Sequence, residues 1–174
     1  MRSVQIPAIA DDGSEWRWTW ATRLAIENKW QSGAELGVRR AHFSVYLVDH
    51  VPGLKMLAVD TWAQREGVSS VYARYRHDRN YEHVLSLAHE RPIEVWRMTT
   101  HEASGLVPAK SLDFAFIDAS HEYESVSQDI EDWLPKVRHM LMGHDWMDND
   151  VRMAVEQRFP EVMLGPDRCW AVRV

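Results

Sequence analysis

Apolar residues along this chain fall into two rhythms. Short, nearly unbroken apolar runs occur at "GAELGV" (33–38), "KMLAVD" (55–60), "IEVWRM" (93–98), "LDFAFID" (112–118) and "HMLMGH" (139–144). Between them the apolar positions recur at the spacing of one helix face. In "YESVSQDIEDWLPKV" these are Val126, Ile130, Trp133 or Leu134, and Val137; in the segment from Arg74 to Glu90 they are Tyr75, Tyr81, Val84 and Leu87. After Asp148 and Asn149, both good N-cap residues, Val151, Val155 and Phe159 mark a further helix. Continuous apolar strands alternating with amphipathic helices predict a parallel sheet covered on both faces. The tail "EVMLGPDRCWAVRV" differs: two strand-like runs flank Gly165-Pro166-Asp167 and read as an antiparallel pair at the sheet edge. No linker, repeat or low-complexity block interrupts the pattern. The expectation is one α/β domain over residues 1–174, with 1–32 as an N-terminal helical extension.

Composition narrows the class. The chain has 174 residues, 45% apolar and 26% charged, which is globular composition. A net charge of −6 argues against a general nucleic-acid binder. Cys169 is the single cysteine, so no internal disulfide forms and a reducing compartment is expected. No run approaches the ~18 apolar residues of a membrane span. "MRSVQIPAIADDGSEW" meets a proline and then acids before any long apolar run, unlike a signal peptide. A soluble cytoplasmic protein is expected, with no nucleic-acid or membrane partner.

Candidate chemistry sits where strands end. The first run ends at Gly37, the second at Asp60, the fourth at Asp118 and the fifth at His144-Asp145. In open α/β sheets, ligands bind outside the carboxyl ends of the strands. In "SLDFAFIDASHEYESV" a buried strand stops at Asp118, with His121, Glu122 and Glu124 just beyond. Asp60 lies about 20 residues past the glycine turn, where an acid accepts hydrogen bonds from ribose hydroxyls. Gly37 is followed by Val38-Arg39-Arg40-Ala41 rather than by a second glycine, which is not the nicotinamide pattern. A nucleoside without a pyrophosphate does not need that second close approach.

In these segments the chain resembles the class I S-adenosylmethionine-dependent methyltransferases, in particular their compact small-molecule O-methyltransferase-like branch. The residues that carry the likeness are "ELGV" with "HFSVYL", "MLAVDTW", "RMTTHEAS", "LDFAFIDASHEYESVSQDIEDWLPKVR" and "GHDW", in that order, from about Gly33 to the C-terminus. The resemblance implies a Rossmann-like sheet of seven strands, mostly parallel, in the order 3-2-1-4-5-7-6 with the last strand antiparallel. It implies that Glu35, Gly37 and Val38 line the methionine end of S-adenosylmethionine and that Asp60, with Thr61 and Trp62 beside it, takes the ribose. Thr99 and Thr100 would lie near the adenine, and Asp118 and Ala119 near the sulfonium. In related O-methyltransferases an aspartate after strand four and an acidic pair after strand five hold a divalent cation. Asp118, His144 and Asp145 occupy those places, with magnesium or manganese as the ion; His144 would favour manganese. Two other readings stand beside the metal. His121 or His144 is a general base without a metal, or both histidines brace loops while Asp145 caps a helix. Two departures from the family are Ala41 at its usual second glycine, which would narrow the cofactor pocket, and the absence of Pro-Gly-Gly before strand five.

The remaining features give structural expectations. Trp16, Trp18 and Trp20 read as the packing face of an N-terminal helix, with a substrate roof or a homodimer face as alternatives. Arg39-Arg40 read as a solvated first helical turn, and Glu122 and Glu124 as dipole partners of the helix after Asp118. The enzyme reading is methyl transfer to an oxygen of a small molecule. The alternative is a non-catalytic module that keeps the fold for binding or assembly.

Overall fold

The computed structural model describes residues 15–63 and 77–174. The elements in chain order are α1 (Arg17–Glu27), β1 (Ser32–Leu36), α2 (His42–His50), β2 (Lys55–Asp60), α3 (His77–Ala88), β3 (Ile93–Arg97), α4 (Thr100–Leu106), β4 (Leu112–Ile117), α5 (Tyr123–Trp133), β5 (Val137–Gly143), α6 (Asn149–Arg158), β6 (Met163–Leu164) and β7 (Trp170–Arg173). The seven strands form one sheet in the order β3-β2-β1-β4-β5-β7-β6. Strands β1 to β5 pair in parallel, and β7 runs antiparallel to both β5 and β6. The strand order reverses beside β1, so a crevice opens between β1 and β4 at their carboxyl ends.

The alternation within each strand builds two cores. Phe114 and Phe116 face the layer of α1, α2 and α3, where Trp18, Trp20, Phe43 and Leu47 are buried. Ala115 and Ile117 face the layer of α4, α5 and α6, where Val126, Ile130, Trp133 and Val155 are buried. Every residue of β4 is buried; its one charged residue, Asp113, accepts from the Gln31 and Ser32 amides and from Arg138. Burying one side chain such as Phe116 is worth roughly 1.5–3 kcal/mol, so this central strand anchors the sheet.

Several element boundaries differ from the sequence pattern. Val137 opens β5 rather than continuing the helix face of α5, because Leu134-Pro135-Lys136 form a 3-10 turn between them. That turn does the work of the absent Pro-Gly-Gly, and the Pro135 carbonyl accepts from the Lys110 amide at 3.0 Å. The helix expected from Arg74 runs His77–Ala88, with Val84 and Leu87 buried; residues 74–76, with Tyr75, lie outside the described residues. Asp148 caps α6 by accepting from the Asp150 amide. Trp18 and Trp20 are buried on α1, which packs on α2. Arg39 and Arg40 are exposed in the turn before α2 rather than within its first turn. The tail strands pair as expected, but β7 lies inside the sheet and only β6 forms the edge. Among the described residues no helix is long and apolar enough to cross a membrane.

Candidate functional site

Backbone hydrogen bonds carry the ladder just past the strand ends. The Gly37 amide donates to Val59 O at 2.9 Å, the Asp118 amide to Leu36 O at 2.7 Å and the His144 amide to Ile117 O at 3.0 Å. The residues after β1, β4 and β5 are therefore held side by side along one rim. Gly37 has φ 87°, and a Cβ there would sit 2.2 Å from the Asp118 carbonyl oxygen. Only glycine lets these two strand ends approach so closely.

Beyond Gly37 the chain turns sharply, with Arg39 at φ 53° and Ala41 at φ 58°. Asp60 holds this turn. Its Oδ2 accepts from the Val38 and Arg39 amides, both at 2.9 Å, and its Oδ1 accepts from the Trp62 amide at 2.8 Å. The Trp62 indole N–H in turn donates to Arg39 O at 3.1 Å. Trp62 itself has φ 42°, an unusual value for a bulky residue, of the kind that clusters at ligand sites. Across the rim, Thr99 caps α4 in a reciprocal box with Glu102. The Thr100 hydroxyl donates to Asp129 Oδ1 at 2.5 Å, and burial pushes the Asp129 carboxyl up to about 6.

These groups line a cleft of about 620 Å³, a size suited to one small ligand. Its walls include Gly37, Asp60, Thr61, Trp62, Thr99, Thr100, Asp118 and Ala119. Glu35 and Val38 are not among the lining residues. Glu35 is buried beneath the turn, where its Oε2 accepts from the Ser44 hydroxyl at 2.5 Å and the Ser44 amide at 3.1 Å. Burial raises its pKa to about 8 against the pull of those bonds. Val38 offers its amide to Asp60 and buries its side chain. Ala41 also turns away from the cleft: it is 1% exposed and belongs to the core beneath α2, so it does not narrow the pocket.

Beside the cleft, joined to it through Asp118, lies a cluster of charges; His121, His144 and Asp145 are not among the lining residues. Asp118, His121 and Asp145 present ligand atoms within 4.8 Å of one another. His121 Nε2 meets Asp145 Oδ2 at 2.8 Å, and His144 Nδ1 meets the same oxygen at 2.9 Å. Asp145 sits at φ 56°, which turns its carboxylate back toward both imidazoles. His144 is 6% exposed; besides Asp145 it faces Asp118 at 3.5 Å and Asp167 at 3.6 Å. Its burial opposes charge, but the three carboxylates win and raise its pKa to about 10. His144 is thus enclosed by three carboxylates that favour its charged form. The same two imidazoles hold Asp145 well below the usual carboxylate range despite its burial. His121 is half exposed, and its bond to Asp145 raises its pKa above the ordinary value, against a smaller opposing effect of burial.

The pattern of the sequence did not single out Arg17, Asp167, Arg168 or Asp129. Arg17 reaches Asp167 at 2.8 Å and Asp118 at 3.5 Å from the first turn of α1, and Arg168 reaches Asp145 at 3.5 Å. Asp167 could have been found from Gly165-Pro166-Asp167: a turn between antiparallel strands returns its residues to the rim where β5 ends. Nothing in the sequence around Arg17 marks it.

A methyltransferase-domain family model matches residues 34–146. No curated protein matches the chain. Among solved structures, a Staphylococcus aureus protein provisionally named a caffeoyl-CoA O-methyltransferase superposes with a TM-score of 0.67 at 14% identity, covering 97% of this chain and 85% of that one. An O-methyltransferase from Bacillus cereus, solved in complex with SAH, superposes with a TM-score of 0.64 at 14% identity over 97% of this chain and 84% of that one. A SAH-bound methyltransferase from Podospora anserina gives 0.63 at 10% identity over 90% and 77% of the two chains. The chain belongs to the S-adenosylmethionine-dependent methyltransferase-domain family, and its sheet has that family's strand order.

Proposed function

We propose that the protein transfers a methyl group from S-adenosylmethionine to a hydroxyl oxygen of a small molecule, with His121 receiving the hydroxyl proton. One observation carries the second half of this reading. His121 follows directly on the Asp118-Ala119-Ser120 wall of the cleft, and Asp145 orients it from 2.8 Å.

The residues present fit the cofactor. The Gly37 turn leaves no side chain between β1 and β4, and Asp60 keeps acceptor capacity on Oδ1 beyond its one backbone bond. Gly37, Asp60, Thr61, Trp62, Thr99, Thr100, Asp118 and Ala119 would hold it. Bound there, S-adenosylmethionine supplies a methyl group on a sulfonium, open to in-line displacement. Asp60 accepts from ribose hydroxyls, and its negative charge excludes a ribose phosphate. Asp118 offers a carboxylate to a cationic part of the cofactor. His121 takes the acceptor proton at Nδ1 while Nε2 stays on Asp145, which gives the imidazolium a partner as it forms. The cleft walls supply proximity, the larger share of such catalysis.

The carboxylates that the resemblance offers to a divalent cation do not fit one well. Asp118 and Asp145 already face Arg17, His144 and Arg168.

Calorimetric titration with S-adenosylmethionine and with SAH tests the first half. Binding is expected, and Asp60→Ala should weaken it by about 1.5–3 kcal/mol through lost charge-assisted hydrogen bonds. Absence of binding to the wild type leaves the non-catalytic module as the reading. Methyl transfer to a panel of phenols and alcohols tests the second half: His121→Asn should lose turnover and keep cofactor affinity.

A further inference from the structure

Asp118, Asp145 and Asp167 come from the end of β4, the end of β5 and the β6–β7 turn, yet all three contact His144. Carboxylates gathered this closely repel one another unless cations lie among them. Here the chain brings its own. Arg17 Nη1 is 2.8 Å from Asp167 and Nη2 is 3.5 Å from Asp118. Arg168 Nη1 is 3.5 Å from Asp145, and the buried His144 ring stands between the three acids. Two guanidiniums thus stand among the three carboxylates, with the His144 ring between them, before any ion is added.

A hard divalent cation binds where several oxygens carry uncompensated negative charge. The spacing of Asp118, His121 and Asp145 would admit one, but guanidiniums already stand against both of those carboxylates. We infer that Arg17 takes the cation position beside the acceptor site proposed above, so that the acids there are held by the chain's own guanidiniums and bind no divalent ion. Arg17 suits this role. Its guanidinium does not lose its proton near neutral pH, its carbon lies 5.4 Å from the Trp18 ring, and the side chain is 23% exposed between the two acids it joins. It is a positioning residue: it sets the direction of Asp118, which lines the cleft. The word "acceptor" rests on the methyl-transfer reading, whereas the cation chemistry does not.

Titration of the chelator-stripped protein with manganese, followed by electron paramagnetic resonance, tests this without any methyl transfer. The wild type should leave the free-ion signal unchanged. Arg17→Met, which unmasks Asp118 and Asp167, should bind manganese at least roughly tenfold more tightly than the wild type. Arg17→Lys, which keeps the charge, should behave like the wild type. Tight, saturable manganese binding by the wild type, or no gain in a folded Arg17→Met protein, overturns the inference. Should Arg17→Met fail to fold, wild-type melting curves in chelator, magnesium and manganese decide. Coincident curves support the inference, and a melting temperature that climbs with ion concentration overturns it.

Discussion

The two ends of the cleft are built by different means. At the β1–β2 end, backbone makes the site: a glycine turn, three amides gathered on Asp60 and a capped helix start opposite. At the β4–β5 end, side chains make it. Arg17, Asp118, His121, His144, Asp145, Asp167 and Arg168 reach one another from four separate parts of the chain. A backbone-built site depends on local turns, tolerates change in most side chains and fails when a turn fails. A side-chain network depends on charge balance, and losing one member leaves the others buried and unpaired. The cofactor end should therefore respond to steric changes and the charged end to changes of charge.

The largest effect that would break this contrast is at the charged end. His144→Leu removes the cation that three carboxylates share, and should cost about 3–5 kcal/mol of stability in denaturant unfolding. Asp118 belongs to both ends and meets His144 at 3.5 Å, so cofactor affinity in that variant falls through that one residue, by less than in Asp60→Ala. Gly37→Ala is the reciprocal change. Its Cβ would meet Asp118 O at 2.2 Å with φ at 87°, so a loss of about 2–4 kcal/mol is expected. Cofactor binding should fall with it, while the response to salt stays as in the wild type. Were His144→Leu to abolish cofactor binding with stability intact, the contrast would be reversed.

Glu35 lies beneath the border between the two ends and sharpens the comparison through pH. Burial pushes its carboxyl up to about 8 from the ordinary 4.5, so the folded state holds the proton more tightly than the unfolded state. The stability from that proton is fully present below about 4.5 and is lost as pH rises toward 8. Glu35→Gln, neutral throughout and still able to accept from Ser44, should match the wild type below about pH 4. At pH 8.5 it should exceed the wild type by at least about 1 kcal/mol, as read from paired melting curves. A constant offset between the two proteins would show that Glu35 is ionised in the fold. The smallest effect belongs to Ala41→Gly. Relief of φ 58° and loss of a buried methyl nearly cancel, so stability should change by about 0.5 kcal/mol or less and cofactor affinity not at all. A clear gain in affinity would return Ala41 to the cleft wall.

The sequence by itself determined the order of elements, the parallel sheet and the positions at which strands end in Gly37, Asp60, Asp118 and His144. Those features are local: period, strand length and the residue at a strand's end are written in consecutive positions. It also pointed to Trp18 and Trp20 as packed residues of an N-terminal helix, because such large apolar side chains seek burial. Which side chains meet was decided by tertiary structure. Val38 and Glu35 stand beside Gly37 in sequence yet face the core, because the Asp60 bonds turn the chain between them and the cleft. His144 stands at the end of β5 in sequence, and only the fold surrounds it with Asp118, Asp145 and Asp167. Arg17 stands 101 residues before Asp118 and 150 before Asp167 in the numbering, and no local pattern connects them. Charges interact through distance in space and through burial, neither of which a one-dimensional spacing records. The fold alone brings those groups to one rim.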